Sequence, residues 1–186
     1  MHPFRHFRTI TKHRHAVIRH CFRAGIGWQG LFHDLSKYSP AEFIPGAKHY
    51  LGTRSPNEGE REKNGYSLAW MHHKGRNRHH FEYWNDFCPE TDRYESVPMP
   101  RRFLAESVMD RIAACRVYEG EKYTDASALA YLERSLDGRL MHRQTYREMR
   151  YLLTILKEKG EKETFFYIKN HVLRGKPFPW EETTEE

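Results

Sequence analysis

The chain has 186 residues, 38% of them hydrophobic and 14% aromatic, which suffices for one domain with a sizeable core and is too apolar for a disordered polymer. No run approaches the roughly eighteen apolar residues of a spanning helix, and the opening MHPFRHFRTI lacks the uninterrupted apolar segment of a secretory signal. The expectation is a cytoplasmic protein without a membrane partner.

Cys21, Cys88 and Cys115 are too few and too scattered for a disulfide framework, and no CxxC pair offers a thiolate zinc site. Formal net charge is +6, and no acidic residue precedes Asp34, so Arg5, Arg8, Lys12, Arg14, Arg19 and Arg23 form an unbalanced basic block. Such a block attracts anions, although most charge runs are solvated helix faces.

In chain order, residues 5 to 24 read as a helix, because Ile10, His13, Val17, Cys21 and Ala24 fall at offsets of three and four and share one face. Gly25 and Gly27 break it. WQGLFHDLSK restarts as a short helix whose Trp28, Leu31, Phe32 and Leu35 call for burial, with the His33-Asp34 pair inside it. A third helix starts at SPAEF, where Ser39 caps, Pro40 suits the first position and Glu42 completes a capping box.

Residues 52 to 65, polar and rich in turn formers, read as a surface loop. Helical spacing resumes at YSLAWMHH and lapses at Gly75 to Asn77, and a proline-containing connection covers about 88 to 100. Residues 101 to 118 give the strongest helix, with one stripe of Leu104, Val108, Ile112 and Cys115 and another of Phe103, Ser107, Asp110, Ala114 and Val117. Helices near 125 to 137, 141 to 159 and 162 to 173 follow, with a stripe of Met149, Leu152, Leu153 and Leu156. No sustained two-residue alternation occurs, so the expected fold is all-α: one domain over 1 to 180 and a flexible acidic tail over 181 to 186.

The chemistry concentrates in the 13 histidines. His13 points where the core points, His33-Asp34 follows, HHKGRNRHH packs His72, His73, His79 and His80 together, and Asp110 lies on a helix buried on both sides. A carboxylate there costs several kcal/mol unless it is paired or binds a metal. Asp110 alone is as well explained by a salt bridge to an arginine. The joint pattern favours a divalent transition metal such as iron, manganese, nickel, cobalt or zinc, which imidazole and carboxylate suit without thiolate. In the competing view, Lys74, Arg76 and Arg78 make a basic RNA- or DNA-contacting loop with Phe81, Tyr83 and Trp84 as stacking platforms.

The order H, HD, distal histidines, D resembles the HD superfamily of metal-dependent phosphohydrolases, and HDLSK resembles its HDxGK stretch with Ser36 in place of the glycine. ITKH, QGLFHDLSKYSPAEF and HHKGRNRHHFEYW look closer still to an uncharacterised HD-like family of bacterial and phage proteins, over about residues 5 to 120. The resemblance implies an HD-like helical bundle with extra C-terminal helices over about 121 to 175. It implies that His13, His33, Asp34 and Asp110 hold one metal, and that His73 and His80, with His72 or His79 as substitutes, recruit a second. The spacing from His13 to the HD pair is short for the family, which leaves His20 as a fallback.

The expected activity is metal-dependent hydrolysis of a phosphomonoester or phosphodiester, nucleotides included, with one or two ions and with Asp34 bridging two. Lys37, Arg76 and Arg78 would neutralise phosphate charge, and a histidine outside the metal shell, His72 or His79, would shuttle a proton. The alternatives are an HD-type di-iron oxygenase and a non-enzymatic, nucleic-acid-binding helical module.

Overall fold

In the computed structural model, which describes residues 1–135 and 140–181, the first helix α1 (Pro3–Ala24) starts with a proline in its first turn. It ends at Gly25, whose φ of 87° lets its amide donate back to the carbonyls of Cys21 and Phe22. The expected inward stripe of Ile10, His13, Val17, Cys21 and Ala24 is buried throughout.

The next helix, α2 (Gly27–Leu31), lies so close on α1 that a Cβ at Gly30 would stand 2.5 Å from that of Cys21. It is too short to contain the His33-Asp34 pair, which falls in the turn beyond it. Trp28, Phe32 and Leu35 do not find the expected burial: they are 80%, 69% and 47% exposed. Five residues make little more than one turn, and the face that meets α1 is occupied by Gly30.

A 3₁₀ turn over Leu35–Tyr38 leads to α3 (Pro40–Lys48), α4 (Pro56–Asn64) and α5 (Leu68–Lys74). The capping box expected at the start of α3 does not form: Ser39 makes no side-chain cap, and Glu42 turns toward histidines of α5. The expected loop over 52 to 65 contains α4 instead. Ser55 caps it by accepting from the Asn57 amide, Pro56 sits at its first position, and Glu58 completes the S-x-x-E start signal hidden among the turn formers. Ser67 Oγ donates to the buried Glu60 of α4 at 2.6 Å and caps α5 in the same stroke.

The connection before the long helix holds an antiparallel hairpin, β1 (Asn85–Cys88) with β2 (Arg93–Ser96), in register from Asn85↔Ser96 to Cys88↔Arg93. The fold is therefore mainly α with one small two-stranded sheet among the described residues, rather than strictly all-α. Strands of four residues are too short to show a period in the sequence.

α6 (Arg101–Glu119) is the central element, and α1, α7 (Ser127–Arg134) and α8 (Arg143–Asn170) pack on it. Its Leu104, Val108, Ile112 and Cys115 stripe is buried in the core, whereas Ser107, Asp110 and Ala114 of the other stripe line a cavity. The two expected C-terminal helices are the halves of α8, which breaks at Gly160 with φ of 78°. Met149, Leu152, Leu153 and Leu156 are fully buried, each contributing on the order of 1.5–3 kcal/mol of apolar burial. One hydrophobic cluster runs from Ala16 to Phe178. Residues 136 and 137, expected to end a helix, lie outside the described residues. So do 182–186 of the expected tail, whose first residue, Glu181, accepts from Arg101.

Candidate metal centre

The site is organised by one turn. After α2 the chain bends so that Asp34 takes φ 54°, a left-handed conformation that aspartate tolerates better than most residues. Arg14 of α1 holds this bend from outside, its Nε donating to the His33 carbonyl at 3.1 Å and its Nη2 to that of Leu31. The bend turns the Asp34 carboxylate fully inward, and the 3₁₀ turn behind it brings Lys37 Nζ to 2.5 Å from Asp34 Oδ2.

Two groups of donor atoms share Asp34. In the first, His13 Nε2 stands 3.7 Å from Asp34 Oδ2 and 2.9 Å from Asp110 Oδ1, while His33 Nε2 stands 3.2 Å and 3.4 Å from the same oxygens. In the second, His73 Nε2 and His79 Nε2 face Asp34 Oδ1 at 3.2 Å and 3.5 Å, and His80 Nε2 lies 2.9 Å from His73 Nε2. Within each group, donor atoms from all four residues fall within 4.8 Å of one another, close enough to hold a metal ion. His33, His79 and Glu106 form a third, overlapping group.

Apart from the hydrogen bond between His73 Nε2 and His80 Nε2, these atoms converge with few bonds among themselves. Both Asp34 oxygens and the Nε2 atoms of His13, His33 and His79 are buried, and apart from the Lys37 ion pair on Asp34 Oδ2 none is in hydrogen-bond geometry with a protein partner. Buried polar atoms are rarely left so. Lone pairs aimed at common points, rather than at each other, are what a coordination shell requires.

The local charges depend on one another. Burial opposes the charged form of Asp34, yet the positive charges of His33, Lys37 and His73 outweigh it and hold the carboxyl well below the usual range. Burial works against the His33 imidazolium too, but the carboxylates of Asp34, Asp110 and Glu106 raise its pKa well above normal. His80 goes the other way: burial, then the positive charges of His79 and His73, keep it neutral.

Two carboxylates that the sequence did not assign to the site stand behind the candidate ligands. Glu106 accepts from His33 Nδ1 at 2.9 Å and lies 3.3 Å from His79 Nδ1; burial would raise its pKa, but these contacts lower it to about 2. Glu42 accepts from Nδ1 of both His72 and His73 at 2.7 Å. In each case the carboxylate accepts a hydrogen bond from Nδ1 and turns Nε2 toward the centre, the usual support of a metal-binding imidazole. Glu106 had a signal in its position four residues before Asp110 on the same helix face. Glu42 had none beyond its resemblance to a capping residue.

His13, His33, Asp34, His73, His80 and Asp110 are thus brought together as expected, and His79 joins them. His79 has both ring nitrogens facing carboxylates in the interior, so it sits with the candidate ligands and not on a cavity wall where it could shuttle a proton. His72 lies at the rim on Glu42, with its side chain 26% exposed. The fallback His20 lies elsewhere, 3.6 Å from Glu161.

A cavity of about 910 Å³ opens over the centre, with His13, Lys37, His73, His80 and Asp110 on its wall. Arg76 is exposed, donates to the His72 carbonyl and does not line this cavity; Arg78 lies over the Tyr83 ring. Arg61, stacked on Trp70, and Arg134, stacked on Tyr131, do line it. The aromatic platform imagined for nucleic acid is used internally: Phe81 is buried and Trp84 packs on Phe103.

No curated protein and no solved structure matches the chain. A family model described as a family of unknown function (DUF5662) matches residues 2–155. That span takes in α1 through most of the first half of α8, with every candidate ligand, and the chain belongs to this family.

Proposed function

We propose that the chain is a metal-dependent phosphohydrolase of HD-like fold, hydrolysing a phosphomonoester or phosphodiester at a His/Asp centre of one or two divalent transition ions. Asp34 carries this reading: a buried carboxylate whose Oδ2 faces His13 and His33 while Oδ1 faces His73 and His79 has the placement of a bridging ligand. An all-nitrogen and carboxylate donor set suits iron, manganese, nickel, cobalt or zinc.

Ions held there would lower the pKa of water and, as a pair, clamp the attacking and leaving oxygens of a phosphate ester. Lys37 stays charged, since Asp34 and Asp110 outweigh its burial, and from the cavity wall it would meet a phosphoryl oxygen. The role expected of Arg76 passes to Arg61 and Arg134, which face the cavity. Glu106 and Glu42 hold the imidazoles in one tautomer. In the reaction, water oxygen adds to phosphorus, the ester P–O bond breaks and the alcohol leaves with a proton. The cavity is wide enough for a phosphorylated small molecule of nucleotide size.

Protein purified without chelator should contain near-stoichiometric transition metal. With manganese, nickel or cobalt it should hydrolyse members of a panel of nucleotides and p-nitrophenyl phosphate mono- and diesters, and Asp34→Ala should remove both properties. A metal-free protein whose stability ignores chelator and which hydrolyses none of the panel would refute the reading. Turnover that requires both iron and dioxygen would transfer the site to the oxygenase class.

A further inference from the structure

The outward side of α1 and the turn beyond α2 present a run of large apolar side chains to solvent. Phe4, Phe7 and Phe22 on α1, Trp28 on α2, and Phe32 and Leu35 after it are 88%, 51%, 58%, 80%, 69% and 47% exposed. Several of them adjoin through shared neighbours. The Phe7 ring meets Tyr38 edge-on at 5.9 Å, at the end of the 3₁₀ turn that Leu35 begins. Arg14 grips the carbonyls of Leu31 and His33, on either side of Phe32, and Gly27 lies directly against the Phe22 ring beside Trp28. Isolated exposed apolar residues need no explanation, whereas a contiguous patch marks an interaction surface.

Within α1 and α2 the charge beside the patch has one sign, and Glu161 of α8 meets it only at the far end, paired with Arg23. Arg8, Lys12 and Arg19 follow one another along the solvent side of α1 at helical offsets, all exposed, and none is in an ion pair among the described residues. Residues 1–33 contain no acidic side chain at all. A twofold pairing of this face with a second copy would set these cations near their own images, which opposes the contact.

An anionic lipid surface answers both features, taking aromatic and aliphatic side chains at the headgroup boundary and pairing lipid phosphates with arginine and lysine. We infer that the α1–α2 face docks this protein on an anionic membrane surface, with Trp28 and Phe32 inserted and Arg8, Lys12 and Arg19 on the headgroups. Among the described residues no helix is long and apolar enough to cross a membrane, so the contact is interfacial. The expectation of no membrane partner rested on the missing spanning segment, which does not bear on this mode. Because His13 lies on the inner face of α1, docking would hold the metal centre about one helix diameter, roughly 10 Å, from the lipid.

The test is co-sedimentation of the full chain with vesicles of phosphatidylcholine alone or mixed with phosphatidylglycerol. Binding should be at least roughly tenfold stronger to the anionic vesicles and should weaken at high salt. Trp28→Ser with Phe32→Ser should weaken it about tenfold or more at unchanged circular dichroism, and Arg8→Glu with Lys12→Glu should abolish the preference for anionic lipid. Should the serine variant fail to fold, vesicle-induced blue-shifted tryptophan emission that is absent in Trp28→Phe reports the same insertion. Absence of vesicle binding would overturn the inference. So would a serine variant that loses self-association instead of lipid binding, or RNA binding that displaces vesicles and survives the serine changes.

Discussion

Glu106 on α6 accepts from His33 Nδ1 at 2.9 Å, so the long central helix sets the orientation of an imidazole delivered by the turn after α2. Removing a carboxylate behind a metal-bound histidine typically costs 10–100-fold in affinity. Glu106→Ala should weaken metal binding by about that factor while leaving the ion count at saturation unchanged, as read by competition with a fluorescent chelator. An affinity equal to wild type would reduce the pair to a structural contact.

The two donor groups predict different stoichiometries for different variants. His73→Ala removes a ligand only from the second group, so elemental analysis should show about one ion lost and about one retained. Asp34→Ala removes the shared oxygen and should empty both positions. Equal loss in the two variants would show a single site.

Metal uptake should release protons. Without metal, His33 keeps a proton, since the surrounding carboxylates outweigh burial, and His73 is raised in the same sense. A metal must displace those protons, so affinity falls as pH falls. Isothermal titration in buffers of different ionisation enthalpy would count the protons released, and a count of zero would contradict the geometry.

His6 supplies a stability change of opposite origin. Burial, and then the positive charge of Lys37, lower its pKa from 6.5 to about 4. The unfolded chain therefore binds the proton first. Stability is at its full value above 6.5 and declines as pH falls toward 4, by on the order of 2–3 kcal/mol. His6 packs against Phe43 and Tyr50, so His6→Phe should fold and flatten this decline. Urea unfolding of metal-free wild type and variant at pH 7.5 and 5 decides it, and parallel pH profiles would count against the assignment.

Gly30 couples packing to the site. A Cβ there meets Cys21 at 2.5 Å and must push α2 off α1, so Gly30→Ala should cost about 1–3 kcal/mol. The His33-Asp34 turn follows α2 directly, so the same variant should bind metal more weakly. Unfolding midpoints and metal titration together check this, and a wild-type affinity in a destabilised variant would show that the turn is held by Arg14 alone.

Much of the helical frame was legible in the order of residues because helices announce themselves through local spacing. Ile10, His13, Val17, Cys21 and Ala24 share a face wherever the chain goes, and Leu104, Val108 and Ile112 need only a helix to line up. The candidate ligand types were legible for a related reason: a histidine on a core face and an aspartate on a doubly buried helix are costly unless something binds them. The four-residue strands and the cap of α4 escaped because they are shorter than any period. The exposure of Trp28 and Phe32 escaped because burial depends on what lies opposite, and a five-residue helix has one face to give.

What local order could not supply was the meeting of distant groups. That His13 and not His20 faces Asp110, that His79 stands with the ligands while Arg76 looks outward, and that Glu42 serves His72 and His73 rather than a helix cap all depend on how α1, α3, α5 and α6 pack. Residue type and helical spacing already selected which side chains could bind a metal. Their convergence on Asp34 required the packed core, because coordination is a matter of distance, and in a folded chain distances of a few ångströms join residues far apart in sequence.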